Sequence, residues 1–407
     1  MISSEKLSIF KETNGYLFLT ICNSLLSMGF YGFAAHNLSI ENFGIQLKFI
    51  AAAGAVIGLI DFGSSFLHLR DLASGQLSLN NFANIFMSRL LFFLFLTLPL
   101  LIIAIVSSKY DYASFLILIN MQLLFQFACI PYRARGKISL FALMTSLERL
   151  FSLLILVVCI QLSVSIKLIW ILICGSMASL SILIKLYSQE GIVIFKKQPT
   201  LKNPWKRTGW LGGTNAITQA QQLDYNLLAH LTDASTSATY GAVSRWTNSL
   251  SFFAATFCHS IIPIFSRDEI RISELRAVRK AALWLIISVI SSCIVFLFSA
   301  QLVDIILGNS YESSKRILQT LSLASVTFVI TQPCATILLS KSQVKPVFIS
   351  ICVGIILQMT CIVLLAPKTG SYSASLGYLV GQLVSAIILA TNLIIFLKRN
   401  KVSLVNN

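Results

Sequence analysis

Charge is what this chain has least of. Only 11% of its 407 residues are Asp, Glu, Lys or Arg. A soluble domain carries about 25%, so a water-facing surface cannot be assembled from this composition. Acids are the scarcer sign: 15 Asp and Glu stand against 31 Lys and Arg, a net charge of +16. No basic stretch interleaved with aromatics lies outside the apolar runs, which argues against nucleic acid as a partner. The nine cysteines all sit in apolar runs without a CxxC spacing, so they read as small packing residues. The four histidines, His36, His68, His230 and His259, are scattered. No metal motif follows from either type. Long polar connections are missing too: the longest runs from about Ser188 to Thr208, so no soluble domain fits. Ser3 to Asn14 is polar and charged, and no cleavable signal is expected.

What is present is one pattern repeated. Apolar runs alternate with short polar breaks, and mean hydropathy is +0.81. A bilayer core of about 30 Å needs roughly 20 apolar residues of helix. Twelve spans meet that need, near 15–38, 42–64, 86–107, 112–132, 139–162, 166–187, 209–231, 238–264, 281–303, 315–339, 344–366 and 371–397. With the N-terminus inside, 23 of the 31 lysines and arginines fall on the cytoplasmic side and five on the outer side. The positive-inside rule then places both termini in the cytoplasm.

The chain also repeats itself at an offset of 197. Phe43-Gly44 matches Tyr240-Gly241, Lys48 matches Arg245, Phe49 matches Trp246, and Arg70-Asp71 matches Arg267-Asp268. The matching stretches fall on the second span of each half. Six spans per half is an even number, so both halves enter the membrane in the same direction, as a parallel repeat. The expected fold is an all-α polytopic membrane protein of twelve transmembrane helices, in two six-helix bundles around a central cavity. The expected domains are 1–197, with a cytoplasmic linker, and 198–407.

Three segments carry a resemblance. The first, LSIENFGIQLKFIAAAGAVIGLIDFGSSFLHLRDLASG, starts acidic-aromatic-Gly, continues through small residues and leaves by Asp61-Phe62-Gly63 and a basic residue. The second, ATYGAVSRWTNSLSFFAATFCHSIIPIFSRD, has Tyr-Gly, an arginine and a Pro then Ser-Arg exit. The third is ILGNSYESSKRILQTLSLA, entering the tenth span. Together they resemble the polysaccharide and O-antigen flippases (Wzx type) of the MATE/MOP exporter superfamily. The resemblance implies a MOP flippase fold and a role in lipopolysaccharide or other surface-polysaccharide biosynthesis. The cargo would be an oligosaccharide on polyprenyl diphosphate, turned from the cytoplasmic to the periplasmic leaflet of the bacterial inner membrane. It implies H+ or Na+ coupling, no other cofactor, and the bilayer, glycan polymerase and chain-length proteins as partners. A monomer is expected, since each half supplies the other's partner surface.

Charges inside the spans are the candidates for mechanism, because they are costly there and usually face a cavity or a partner. Lys48 and Arg245 occupy equivalent positions in the repeat and read as a cationic pair for an anionic headgroup; snorkelling to the interface is the plain alternative. Asp224 lies in a polar stripe with Thr214, Asn215, Thr218, Gln221, Gln222 and Tyr225 that follows helical spacing. The stripe reads as cavity wall, and Asp224 as counter-ion to Arg245 or as the ion-coupling acid. Asn23 belongs to a weaker polar face on the first span. Arg149 extends the positive field, while its neighbour Glu148 is either an ion-coupling site or half of an ion pair between helices. Asp61 is a third coupling candidate, or the partner of Arg70 or another cytoplasmic cation. Arg70, Asp71, Arg267 and Asp268 are gate candidates, or interfacial anchors. Pro131, Pro263 and Pro333 are candidate kinks.

Two rival functions remain. A drug or cation exporter of the same superfamily would share the fold and want an acidic cavity. An O-antigen polymerase would need a large outer loop and paired outer carboxylates. No outer connection exceeds about ten residues, and no nucleophile–base constellation appears, so no catalytic residue is assigned and an enzyme is not expected.

Overall fold

A computed structural model describes residues 2–164, 167–190, 203, 205–255, 257–258, 278–279 and 282–405. Among these the chain is helical throughout. The helices are α1 Ile2–Asn37, α2 Ile40–Asp61, α3 Ser64–Ala73, α4 Leu79–Val106, α5 Tyr110–Ala128, α6 Ile130–Ala134, α7 Ile138–Gln161 and α8 Leu168–Gln189. They continue as α9 Gly209–Ala220, α10 Leu223–Leu231, α11 Ala234–Leu250, α12 Leu283–Leu297 and α13 Ser299–Ile306. Then come α14 Ser314–Val326, α15 Phe328–Ser340, α16 Val344–Thr369 and α17 Tyr372–Val405.

Nine helical stretches among the described residues are long and apolar enough to cross a membrane, or ten if α12 and α13, bent by 71°, form one span. The difference from twelve has a local cause. The seventh span is broken at Gln221–Gln222 into α9 and α10, each too short to cross alone. The eighth begins as α11 and runs into residues outside the described ones. The short α3, after the second span, was not expected from hydropathy, because ten amphipathic residues give no spanning signal. Pro131 sits at the start of α6, where the missing N–H costs nothing, and Pro333 lies inside α15; Pro263 lies outside the described residues.

The chain forms two compact units: Met1–Leu38 with Gln46–Gln222, and Ser39–Ile45 with Leu223–Asn407. The boundary expected at 197/198 lies outside the described residues. The first turns of α2 thus belong to the second unit, and α9 belongs to the first.

The first unit is packed around aromatics. Phe82 and Phe86 stack on Phe127 with ring centroids 5.1 and 5.8 Å apart. Tyr187 donates its hydroxyl proton to the carbonyl of Ala128, which satisfies a polar atom in an apolar site. The second unit relies on close backbone approach between α16 and α17. A Cβ on Gly381 would stand 2.5 Å from the Gly354 carbonyl oxygen, and one on Gly377 would stand 2.7 Å from that of Gln358. Helices in lipid gain little from apolar burial against each other, so small residues that allow tight contact take its place.

Candidate functional site

The break in the seventh span sets up the acidic centre of the second unit. Asp224 is the second residue of α10, where the helix N-terminus favours a negative charge. It is buried. Its Oδ1 accepts from the Tyr225 backbone N–H at 2.5 Å. Its Oδ2 accepts from the Tyr240 hydroxyl of α11 at 2.5 Å and from Gln358 Nε2 of α16 at 2.9 Å. Three neutral donors therefore hold the carboxylate. Among the described residues Asp224 closes no direct ion pair; Arg245, five residues beyond Tyr240, lies within electrostatic reach of it and is half-buried.

One wall of this centre is built from the start of α2. The Tyr225 hydroxyl donates to the Gly44 carbonyl at 2.8 Å, and Ser237 donates to the Tyr225 hydroxyl at 3.2 Å. Gly44 is required for this contact: a Cβ there would stand 2.1 Å from the Ala234 carbonyl oxygen. The ring of Phe43 meets Tyr311 edge-on at 6.3 Å.

In the first unit Asp61 ends α2. Its Oδ1 accepts from Arg89 Nη2 at 2.7 Å, an ion pair whose side chains are 3% (Arg89) and 10% (Asp61) exposed. The guanidinium lies 4.4 Å from the ring centroid of Phe127 and 5.4 Å from that of Phe93, positions that favour a cation over an aromatic face. The partner of Asp61 is thus Arg89, one of the other cations assigned to the cytoplasmic side, and not Arg70. Arg70 instead pairs with its neighbour Asp71 at 3.0 Å, and Arg207 stands 3.9 Å from Asp71. Arg267 and Asp268 lie outside the described residues.

Glu148 corrects the ion-pair reading. Its Oε1 accepts from Gln122 Nε2 at 2.5 Å and from the Ser176 hydroxyl at 2.8 Å, and the residue is 4% exposed. Among the described residues, this carboxyl group joins α5, α7 and α8 by accepting from an amide and a hydroxyl, not by pairing with a cation. Arg149 is half-buried, with a buried Nη1 lacking a hydrogen-bond partner; Asn23 Oδ1 on α1 is in the same condition. Lys48 is exposed along α2, and Gln221 stands half-buried at the helix break.

The polar stripe of the seventh span divides. Asn215 donates to Asp61 Oδ2 at 3.3 Å. Gln222 and Gln219 lie over glycines of α2: a Cβ on Gly54 would stand 1.9 Å from Gln222 Oε1, and one on Gly58 2.0 Å from Gln219 Cβ. Asn215 and Gln222 of the stripe thus face α2, together with Gln219, which lies outside the stripe. Within this small-residue seam Gln222 Nε2 donates to Gln219 Oε1 at 2.8 Å.

Five residues of these centres escaped sequence reasoning as site members. Tyr240 was visible only as a repeat position and Arg89 only as a cytoplasmic charge. Gln358 is a lone amide in an apolar run, a signal that could have been weighed. Gln122 and Ser176 gave no signal, because amides and hydroxyls are common within spans and only their convergence on Glu148 distinguishes them.

No family model matches the sequence, and no curated protein matches it. Solved structures do. The lipid II flippase MurJ, in an inward closed conformation, superposes with a TM-score of 0.70 at 14% identity, covering 95% of this chain and 87% of that one. The eukaryotic MATE transporter AtDTX14 gives 0.65 at 16% identity, covering 95% and 96%. A MOP superfamily transporter from Pyrococcus furiosus, described as having a binding pocket of reversed polarity, gives 0.57 at 12% identity and 97% of both chains. The chain has the fold of the MOP superfamily exporters.

Proposed function

We propose that the chain is a flippase. Its cargo is an oligosaccharide on polyprenyl diphosphate, an O-antigen or similar repeat unit, moved from the cytoplasmic to the periplasmic leaflet by ion-coupled alternating access. The fold is common to lipid flippases and drug exporters, so the choice between them rests on the intramembrane charges.

One observation supports the anionic cargo. The three acids of the spans are occupied inside their own units: Asp61 by Arg89, Glu148 by Gln122 and Ser176, Asp224 by Tyr240, Gln358 and a backbone N–H. Lys48 is exposed and Arg245 half-exposed. The exposed character of these two positions is cationic, which suits a diphosphate or acidic sugar better than a cationic drug. Asp224 is the proposed coupling acid, because its site sits beside a helix break, and broken helices are where transporters bind coupling ions.

The test is deletion of the protein from its host. The expected result is loss of surface repeat units with lipid-linked units accumulating on the cytoplasmic side. Lys48→Ala with Arg245→Ala should then reproduce the deletion with the protein folded in the membrane. A single unpolymerised unit still reaching the surface would point to a polymerase. An intact glycan with raised sensitivity to cationic drugs would point to an exporter like the MATE transporters.

A further inference from the structure

Helix α2 stops abruptly at Asp61-Phe62-Gly63. Phe62 has φ 43° and Gly63 φ 68°, two left-handed residues in succession. Glycine accepts that region freely; a bulky aromatic does so only where its surroundings enforce it. Burial of the ring does not supply the force, since Phe62 is 36% exposed.

Two sets of contacts do. The first is local. Asp61 Oδ1 reaches over the strained pair to accept from the Ser65 backbone N–H at 3.2 Å and the Ser65 hydroxyl at 2.5 Å. It thereby caps the start of α3, where Gly63 has no side chain to do so. Arg89 fixes the carboxylate and also donates to Ser64 Oγ at 2.7 Å. The second set comes from α9 and the segment before it. Trp205 Nε1 donates to the Ile60 carbonyl at 2.8 Å, filling one of the open acceptors at the end of α2. Asn215 donates to Asp61 Oδ2. Gly212 lies directly on the turn: a Cβ added to it would stand 2.4 Å from Phe62 Cδ1 and 2.6 Å from the Phe62 carbonyl oxygen. The same seam continues upward through Gln219 on Gly58 and Gln222 on Gly54. All of it lies in the first unit.

We infer that Asp61-Phe62-Gly63 is a strained clasp that α9 holds shut. When the inner part of α9, which carries Gly212, lifts from Phe62, that residue is free to leave the left-handed region. The end of α2 and the start of α3 then rearrange together. The device is a latch at the expected cytoplasmic end of the seam, set by the position of α9. It does not depend on which cargo is carried, so its failure and the failure of the flippase reading are separately visible.

The test is amide hydrogen exchange on the full chain in lipid nanodiscs, reading residues 62–67. Trp205→Phe with Asn215→Ala detaches α9 without adding bulk. Exchange over 62–67 should accelerate about tenfold, while residues 354–362 of α16 keep their native protection and report an intact fold. Adding Phe62→Asn, a residue that tolerates the left-handed region, should return 62–67 to native protection. Unchanged exchange in the detached variant would show that α9 holds nothing. Failure of Phe62→Asn to restore protection would show that backbone strain is not what opens the turn; either result overturns the inference. Should the detached variant exchange quickly everywhere, Gly212→Ala, which only crowds Phe62, replaces it in the same comparison.

Discussion

The Asp61–Arg89 pair allows a prediction with a worked magnitude. Both side chains are nearly removed from solvent, at 10% and 3% exposure. Removing one partner from a buried pair leaves a charge without compensation and costs about 3–5 kcal/mol. The unit that holds the pair has about 215 residues, a size at which 1 kcal/mol moves the unfolding midpoint by about 2–4 °C. Asp61→Asn or Arg89→Met should therefore lower the midpoint by about 6–20 °C in detergent. The two should not be equal. Without Arg89, the Asp61 carboxylate keeps Ser64, the Ser65 N–H and hydroxyl, and Asn215 as donors. Without the carboxylate, Arg89 keeps, among the described residues, two hydroxyl acceptors, Ser64 and Ser65, and the Phe127 and Phe93 rings, with no counter-charge. Asp61→Asn is expected to be the more damaging. The double variant leaves no buried charge and should recover to within about 2 kcal/mol of the native chain, since neutral replacements of buried pairs are often tolerated. A midpoint shift below 2 °C for either single variant, or singles that simply add in the double, would refute the reasoning.

Other perturbations have clear outcomes. Asp224→Asn keeps an acceptor for Tyr240 and Gln358 but removes the charge and turns its NH2 toward the Tyr225 N–H; gradient-driven cargo movement in proteoliposomes should fall to background while the protein is still recovered folded from membranes, and retained driven movement would remove Asp224 from coupling. Gly44→Val places atoms where the Ala234 carbonyl already stands, so folded protein recovered from membranes should drop severalfold; native recovery would mean the α2 start is not held there. Asp233, ahead of α11, accepts from the Thr236 N–H and from the Ser235 and Thr236 hydroxyls, which hold its carboxyl below the usual range, the Thr236 N–H first. A lowered carboxyl stabilises the fold above its unfolded value near 3.9, and that contribution is lost as pH falls through the folded value. Asp233→Ala should thus cost about 1 kcal/mol, the usual value of a lost cap, at neutral pH, with the gap to the native chain closing in acid; a gap that widens in acid would contradict the sign.

The membrane class and most helix positions were legible in the sequence because the bilayer imposes them. A span must be apolar over its whole length and satisfy its own backbone, and both demands are local. Ile138–Gln161 and Val344–Thr369 lie within a few residues of the expected spans for that reason. The seventh span reads as continuous from hydropathy, because Gln221 and Gln222 are ordinary residues in a helix and carry no local signal of the break between α9 and α10. Asp224, Glu148 and Asp61 stood out as candidates, since charge in a span is rare enough to find by eye. Their partners did not. Arg89 is 28 residues from Asp61, Gln122 is 26 from Glu148, and Gln358 is 134 from Asp224. Periodicity reports which face of a helix a residue occupies, but not which helix lies against that face. The sequence by itself thus determined that the chain crosses a membrane, roughly where it does so, and which charges it carries there. Only the tertiary structure decided that the acids are already engaged, that α9 lies on a strained Phe62, and that the polar stripe is divided. These outcomes depend on the close approach of distant backbones, which Gly44, Gly54, Gly58 and Gly212 permit and hydropathy does not record.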